Sequence, residues 1–123
     1  MPVTLARPDL EAHERSVRGN LRDIVAELVA LIGKKLTAYV GGANVTAVER
    51  WIAGTEPGRD AEHPLRAAYH VVKFLSEYDE PAVIQAWLVG LTPQLENQSP
   101  LSLLRKGEHR AVLSVALAFT AEG

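Results

Sequence analysis

The chain has 123 residues, a net charge of −2 and no cysteine. This length is typical of one domain that buries a core without covalent cross-links. The lack of cysteine excludes disulfides and thiolate metal sites, and the near-neutral charge excludes a general attraction to nucleic acid or anionic membranes. No apolar signal peptide opens the sequence, and the uncharged apolar stretch at 111–121 is shorter than the roughly 20 residues of a membrane span. We therefore expect a cytoplasmic protein with no membrane partner.

The first part of the sequence predicts a mobile arm followed by three helices. Residues 1–19 are rich in charged and poor in apolar side chains, as in segments that do not pack. Apolar residues then recur at helical spacing from Asn20, a good N-cap, to Gly33, which ends the first helix. Glycines also end the two short helices that follow, so the predicted spans are 20–32, 34–41 and 45–53.

The second and third of these helices carry the spacing of a helix-turn-helix. Ala38 is small enough to let the next helix cross closely, and Gly42 lies four residues later, where the turn needs a left-handed backbone. Asn44 can cap the next helix, and Val48 can lock that helix against the first one. We therefore predict a helix-turn-helix unit over residues 20–59.

Two interpretations of this unit are open. As a DNA-binding unit, it would use an exposed face whose candidate contacts are Lys34, Lys35, Val45, Thr46, Glu49 and Arg50. The lysines can contact phosphate, but one cation and one anion on the second helix are fewer polar groups than DNA-reading helices usually present. The other interpretation is a scaffold whose helix face is simply solvated.

The rest of the sequence predicts four more helices and no strand. A loop at 55–60 contains proline and glycine and marks the boundary to a second unit at 60–123. Pro64 is placed in the first turn of the next helix, where proline is tolerated, and Asp79 is expected to cap the helix after it. The predicted helices are 62–78, 80–91, 100–106 and 108–121. The fold class is therefore all-α, a small helical bundle.

The last predicted helix is apolar on nearly all of its faces. One stripe consists of Val112, Val115, Ala116 and Phe119. Leu113 and Leu117 form a second stripe to one side. A helix of this kind has to be covered on more than one face. In so short a chain, we expect part of that cover to come from another chain, most simply in a homodimer.

The segment from Trp87 to Gly107 contains a specific series of motifs. A helix led by Trp87-Leu88 precedes the turn Leu91-Thr92-Pro93-Gln94-Leu95, and a short helix with the sequence Pro-Leu-Ser-Leu-Leu begins at Pro100 and ends at Gly107. This order resembles the toxin-binding domain of the Xre/MbcA/ParS antitoxins. With the Xre-like helix-turn-helix before it, the resemblance covers residues 33–123.

The resemblance implies an antitoxin that binds and inhibits a RES-domain toxin, an enzyme that consumes NAD. Members of the family often dimerise and often repress their own operon. The residues implied in toxin binding or dimerisation are Trp87, Leu91, Leu101, Leu104, Arg105, Lys106, Arg110, Leu113, Leu117, Glu122 and Gly123. The residues alone also allow a simpler interpretation, in which Trp87 and the first three leucines of that set pack in the core. The alternative function is a small dimeric helix-turn-helix regulator of transcription without a toxin partner.

The sequence offers little support for catalysis or for a metal site. His63 and His70 are seven residues apart and can share a helix face, but a metal site usually needs a closer pair and a third ligand. Solvated histidine is the simpler interpretation for these two and for His13 and His109. No glycine-rich phosphate loop and no nucleophile–histidine–carboxylate arrangement is recognisable. We therefore expect a protein that is not an enzyme and that uses no cofactor.

Overall fold

The computed structural model describes residues 20–122, so the arm predicted at 1–19, the side chain of Glu122 and Gly123 lie outside the described residues. The described chain forms six α-helices: α1 (Leu21–Val40), α2 (Val45–Ala53), α3 (Arg59–Leu75), α4 (Pro81–Val89), α5 (Pro100–Arg105) and α6 (His109–Glu122). A single 3₁₀ turn, Pro93–Leu95, lies between α4 and α5. No strand occurs within residues 20–122, where one isolated bridge joins Thr92 to Gln98. The predicted all-α class is confirmed.

The break predicted at Gly33 is present, although the two helices around it join into α1. Gly33 has φ 85° and ψ 165°, a backbone conformation that residues other than glycine rarely adopt. Helix α1 therefore consists of two helical segments joined by a kink at Gly33. The hydroxyl of Thr37, which is fully buried, donates to the carbonyl oxygen of Gly33 over 2.8 Å. This bond supplies a partner for the buried hydroxyl and joins the two segments across the break.

The bounds of α3 differ from the prediction. The helix begins at Arg59 rather than at residue 62, because the carbonyl oxygen of Gly58 already accepts from the backbone N–H groups of Ala61 and Glu62. Pro64 consequently lies in the second turn and not in the first, with its ring buried. The helix also ends earlier, at Leu75.

The prediction that Asp79 caps the next helix, α4, is wrong. The backbone N–H of Asp79 donates a hydrogen bond to the carbonyl oxygen of Leu75 over 3.0 Å, so Asp79 closes the turn after α3. Glu80 occupies the N-cap position of α4 and makes no side-chain capping bond. Pro81 then supplies the first helical residue, which needs no N–H donor.

One hydrophobic core extends through the described helices. Helix α1 packs against α3, and α2 and α4 pack against α1, while α5 and α6 pack against α3. Tyr69 is the largest fully buried side chain, and its hydroxyl donates to the carboxylate of Glu27 over 2.6 Å, which links α3 to α1. The division of the chain at residue 59 into two units stays a prediction, since the core includes residues from both sides of it.

No helix in the described part of the chain is long and apolar enough to span a membrane.

Candidate partner-binding surfaces

The turn between α1 and α2 has the local geometry that the sequence predicts for a helix-turn-helix. Ala38 is 3% exposed and Val48 is fully buried, so both lie where the two helices meet. Gly42 has φ 66°, in the left-handed region. The side chain of Asn44 accepts from the backbone N–H of Ala47 over 2.8 Å and caps α2. These four local features agree with the sequence, whereas the assignment as a helix-turn-helix unit and DNA binding stay predictions.

A close contact beside this turn was not foreseen from the sequence. A Cβ atom at Gly41 would lie 2.8 Å from Cη2 of Trp51, so the buried indole ring of α2 packs directly on the backbone of the turn. The tryptophan thus fixes how α2 leaves the turn, and only glycine allows the approach.

The predicted DNA-contact face is exposed, but part of its positive charge is neutralised by a carboxylate of the same face. Five of its six residues are exposed and Val45 is half-buried. The Nζ atom of Lys34 lies 4.0 Å from a carboxylate oxygen of Glu49, which offsets the charge of one candidate phosphate contact. An exposed pair of this kind contributes little to stability, and its main effect is to lower the positive potential of the face.

The leucines predicted for partner binding separate into core and surface residues. Leu101 is 5% exposed and Leu104 is fully buried, so both pack in the core, as the simpler interpretation held. Leu91 is 73% exposed, so it is not a core residue. Leu117 is 51% exposed. Leu113 is half-buried. A partner can therefore reach Leu91 and Leu117 directly, while Leu101 and Leu104 hold α5 in place.

An open groove lies between α6 and the turn after α4, and we name it the Trp87–Phe119 groove. The two rings that form one wall have centroids 5.8 Å apart and are tilted by 39°. Leu95 and Val115 add further apolar surface, and the volume is about 470 Å³. None of the described residues that line this groove is charged. Such a groove suits an uncharged, largely apolar segment of another molecule.

The basic residues of the predicted site cluster around the link between α5 and α6. The guanidinium of Arg105 lies 4.8 Å from the centroid of the Tyr39 ring, a cation–π distance. The Nζ atom of Lys106 donates to the side-chain oxygen of Gln98 over 3.1 Å. Arg110 is exposed at the start of α6. The acidic end predicted at Glu122 and Gly123 falls outside the side chains that the structure describes.

The fold brings His109 close to His63 and His70, a proximity that the sequence did not predict. The ring centroid of His109, at the start of α6, lies 6.3 Å from those of His63 and His70 on α3. Burial lowers the pKa of His109 below its usual value, and the nearby His63 and Arg110 lower this pKa further. No group of three potential ligands able to hold a metal ion occurs within residues 20–122.

One apolar surface was not predicted from the sequence, where only the last helix was identified as having uncovered apolar faces. The outward side of α4 presents Ala82, Val83, Ala86 and Val89, all of them exposed. The signal that could have found it is the absence of charged residues from Pro81 to Leu95, a longer run than 111–121. This side of α4 borders a second groove of about 800 Å³, which we name the α1–α4 groove and whose other wall includes Leu36 and Val45.

Comparisons with known proteins give one informative result. No protein-family model matches the sequence, and no curated protein matches it. A solved chain matches the fold with a TM-score of 0.72 and 25% sequence identity, over 83% of this chain and 95% of the other. That chain comes from the crystal structure of the M. tuberculosis MbcT–MbcA toxin–antitoxin complex. The protein is therefore similar, over most of its length, to a component of a toxin–antitoxin complex.

Proposed function

We propose that this protein is an antitoxin of the MbcA type, which binds a RES-domain toxin and inhibits its consumption of NAD. The observation that carries the proposal is the likeness to a chain of a toxin–antitoxin complex, which extends over 83% of this chain. The motifs from Trp87 to Gly107 support the same family independently, since they were recognised in the sequence alone. The proposed activity is binding, and no residue is assigned a catalytic role.

The surface that best suits the toxin is the Trp87–Phe119 groove with the adjoining outer side of α6. It combines an uncharged cleft with the exposed side chains of Leu91 and Leu117, and the cations of the α5–α6 link lie on the same C-terminal part of the chain. Interfaces typically bury apolar and aromatic anchors at the centre and place charged residues at the rim. In this arrangement Arg105, Lys106 and Arg110 pair with acidic groups at the edge of the toxin.

The test is to co-express the chain with the product of a neighbouring gene that encodes a RES-domain protein. We expect the two to co-purify and the complex to consume NAD far more slowly than the free toxin. The control is the same toxin mixed with an unrelated helical protein of similar charge. A toxin that neither binds the chain nor loses activity in its presence would contradict the proposal.

A second candidate function is DNA binding by the turn between α1 and α2, and the observation that favours it is the geometry of Gly42 and Asn44. Arg50 is exposed on α2, where it can contact a base or a phosphate. We expect Arg50→Ala to weaken binding to the protein's own promoter and to reduce its salt dependence. Arg110→Ala is the matched control, since it removes an exposed cation at the start of α6, outside the two helices of this turn. Promoter binding that ignores Arg50→Ala would remove α2 from the interface.

A further inference from the structure

The contact between α3 and the start of α6 consists in part of imidazole rings. The ring centroid of His109 lies 6.3 Å from that of His63, edge to face, and 6.3 Å from that of His70, with the rings tilted by 45°. A Cβ atom at Gly107 would lie 3.2 Å from Cδ2 of His63, so this ring also packs on the backbone of the α5–α6 link. We name these three histidines the histidine cluster. The cluster joins α3 both to the link and to α6.

The apolar contacts that hold α6 against the core are few. Among the described side chains of this helix, Val112 and Ala116 are fully buried, whereas Val115 and Phe119 are half-buried. Segments with few buried apolar contacts open at a lower free energy than the rest of a fold. The histidine cluster lies at the N-terminal end of α6, one turn before Val112, so a change of charge there acts on a helix that is weakly held.

The charged groups around the cluster do not favour additional positive charge. On α3, the charged residues within four positions of His63 or His70 are Arg59, Asp60, Glu62, Arg66 and Lys73. Carboxylates of Glu62 and Glu27 pair with Arg66 and Lys73 over 3.4 and 3.5 Å.

The link side of the cluster carries the surplus of positive charge. The charged residues within four positions of His109 are Arg105, Lys106, Glu108 and Arg110. The 3₁₀ turn Pro93–Leu95, which also packs against α6, carries no charge. Protonated imidazoles would therefore meet three cations with one carboxylate to offset them, and would also repel one another.

The sign of the expected pH dependence follows from His109. Burial lowers the pKa of His109 below the usual value of about 6.5, and the nearby His63 and Arg110 lower this pKa further. A proton therefore binds this imidazole more weakly in the packed state than when α6 is released. The stability that the neutral ring contributes is fully present above about pH 6.5, and it is lost as the pH falls through that value toward the lower pKa of the packed state.

We propose that the histidine cluster is an acid-sensitive contact, which holds α6 against α3 while its imidazoles are neutral and loosens the helix when they are protonated. Because α6 forms one wall of the Trp87–Phe119 groove, loosening it deforms the surface proposed for the toxin. Acidification then weakens the complex with the toxin. This last consequence rests on the proposed function, whereas the behaviour of α6 does not.

Hydrogen exchange of the full-length chain without toxin tests the behaviour of α6. The amides are compared at about pH 7.5 and about pH 5.5, on either side of the usual histidine pKa, after correction for intrinsic exchange rates. We expect protection in α6 to fall about tenfold or more at the lower pH, the change that a pKa difference of one unit produces. The amides of Ile24, Val25 and Leu28, in the core of α1, are expected to change much less. No loss in α6, or an equal loss in α1, would overturn the inference.

Two substitutions at one position separate charge from shape. His109→Gln leaves a neutral polar side chain and is expected to keep α6 protected at both pH values. His109→Lys introduces a permanent charge and is expected to show low protection already at the higher pH. Glutamine and lysine both favour helix more than histidine does, so neither weakens α6 itself. Helix content measured by circular dichroism shows that each variant is folded.

Three results with these variants would count against the inference. One is a loss of protection in acid that is as large in His109→Gln as in the unmodified chain. Another is low protection of α6 in His109→Gln at both pH values, which would mean that the ring itself, and not its charge, holds the helix. The third is equal protection of α6 in the glutamine and lysine variants at the higher pH.

Toxin binding by the same variants separates this inference from the proposed function. The dissociation constant of the complex is measured at both pH values for the unmodified chain and for His109→Gln with one toxin, so that titration of the toxin cancels in the comparison. We expect acid to weaken binding about tenfold more in the unmodified chain. An α6 that loosens in acid in a chain that binds no toxin would contradict the proposed function and leave the acid-sensitive contact in place. Equal weakening in both chains would overturn the proposed regulation of toxin binding.

Discussion

Replacing Leu104 with alanine is expected to lower the free energy of unfolding by about 2–5 kcal/mol. The side chain of Leu104 is fully buried among other core residues, so its removal leaves a cavity beneath α5. A loss of this size is a large part of the stability of a chain this short. The measurement is chemical denaturation followed by circular dichroism at one temperature and pH.

Leu91→Ala is the matched control for this substitution. The same isopropyl group is removed, but Leu91 is 73% exposed, so we expect a change in the free energy of unfolding within about 0.5 kcal/mol. Both leucines belong to the motif that resembles the toxin-binding domain, and the structure assigns them different roles. Equal losses of stability in the two variants would contradict the placement of Leu104 in the core and of Leu91 on the surface.

Replacing Ser114 with arginine is expected to weaken toxin binding about 30-fold or more without unfolding the chain. Ser114 is exposed on α6 and lines the Trp87–Phe119 groove, so the new side chain would fill an uncharged cleft with a cation. The size of the effect corresponds to the loss of one central interface contact, about 2 kcal/mol. Arginine is a better helix former than serine, so α6 itself is not weakened. The measurement is the dissociation constant of the complex by calorimetry.

Ala26→Arg is the control for the introduced charge. Ala26 is exposed on α1, away from the residues that line the groove, and the substitution adds the same side chain to a helix. We expect the affinity for the toxin to stay unchanged in this variant. If Ser114→Arg also binds the toxin with unchanged affinity, the groove is not the toxin-binding surface.

The sequence by itself determined the features that depend on a few neighbouring residues. The break at Gly33, the left-handed turn at Gly42 and the capping of α2 by Asn44 follow from backbone preferences and from hydrogen bonds within three residues. Helical spacing determined the all-α class for the same reason, since periodicity is a property of the local chain. The motif from Trp87 to Gly107 is a run of neighbouring residues too, and its resemblance to a toxin-binding domain needs no knowledge of the fold.

Only the tertiary structure decided which apolar side chains are covered. Leu91 and Leu104 have the same side chain and lie in one motif. Their burial differs because Leu104 is enclosed by the helices around α5, while Leu91 projects from the end of α4 into solvent. The cluster of His109 with two histidines of α3 depends on contacts between residues far apart in sequence. Periodicity shows that a helix has an apolar face, but the packing of the other helices determines whether that face is buried or left for a partner, and α4 is the helix where this mattered most.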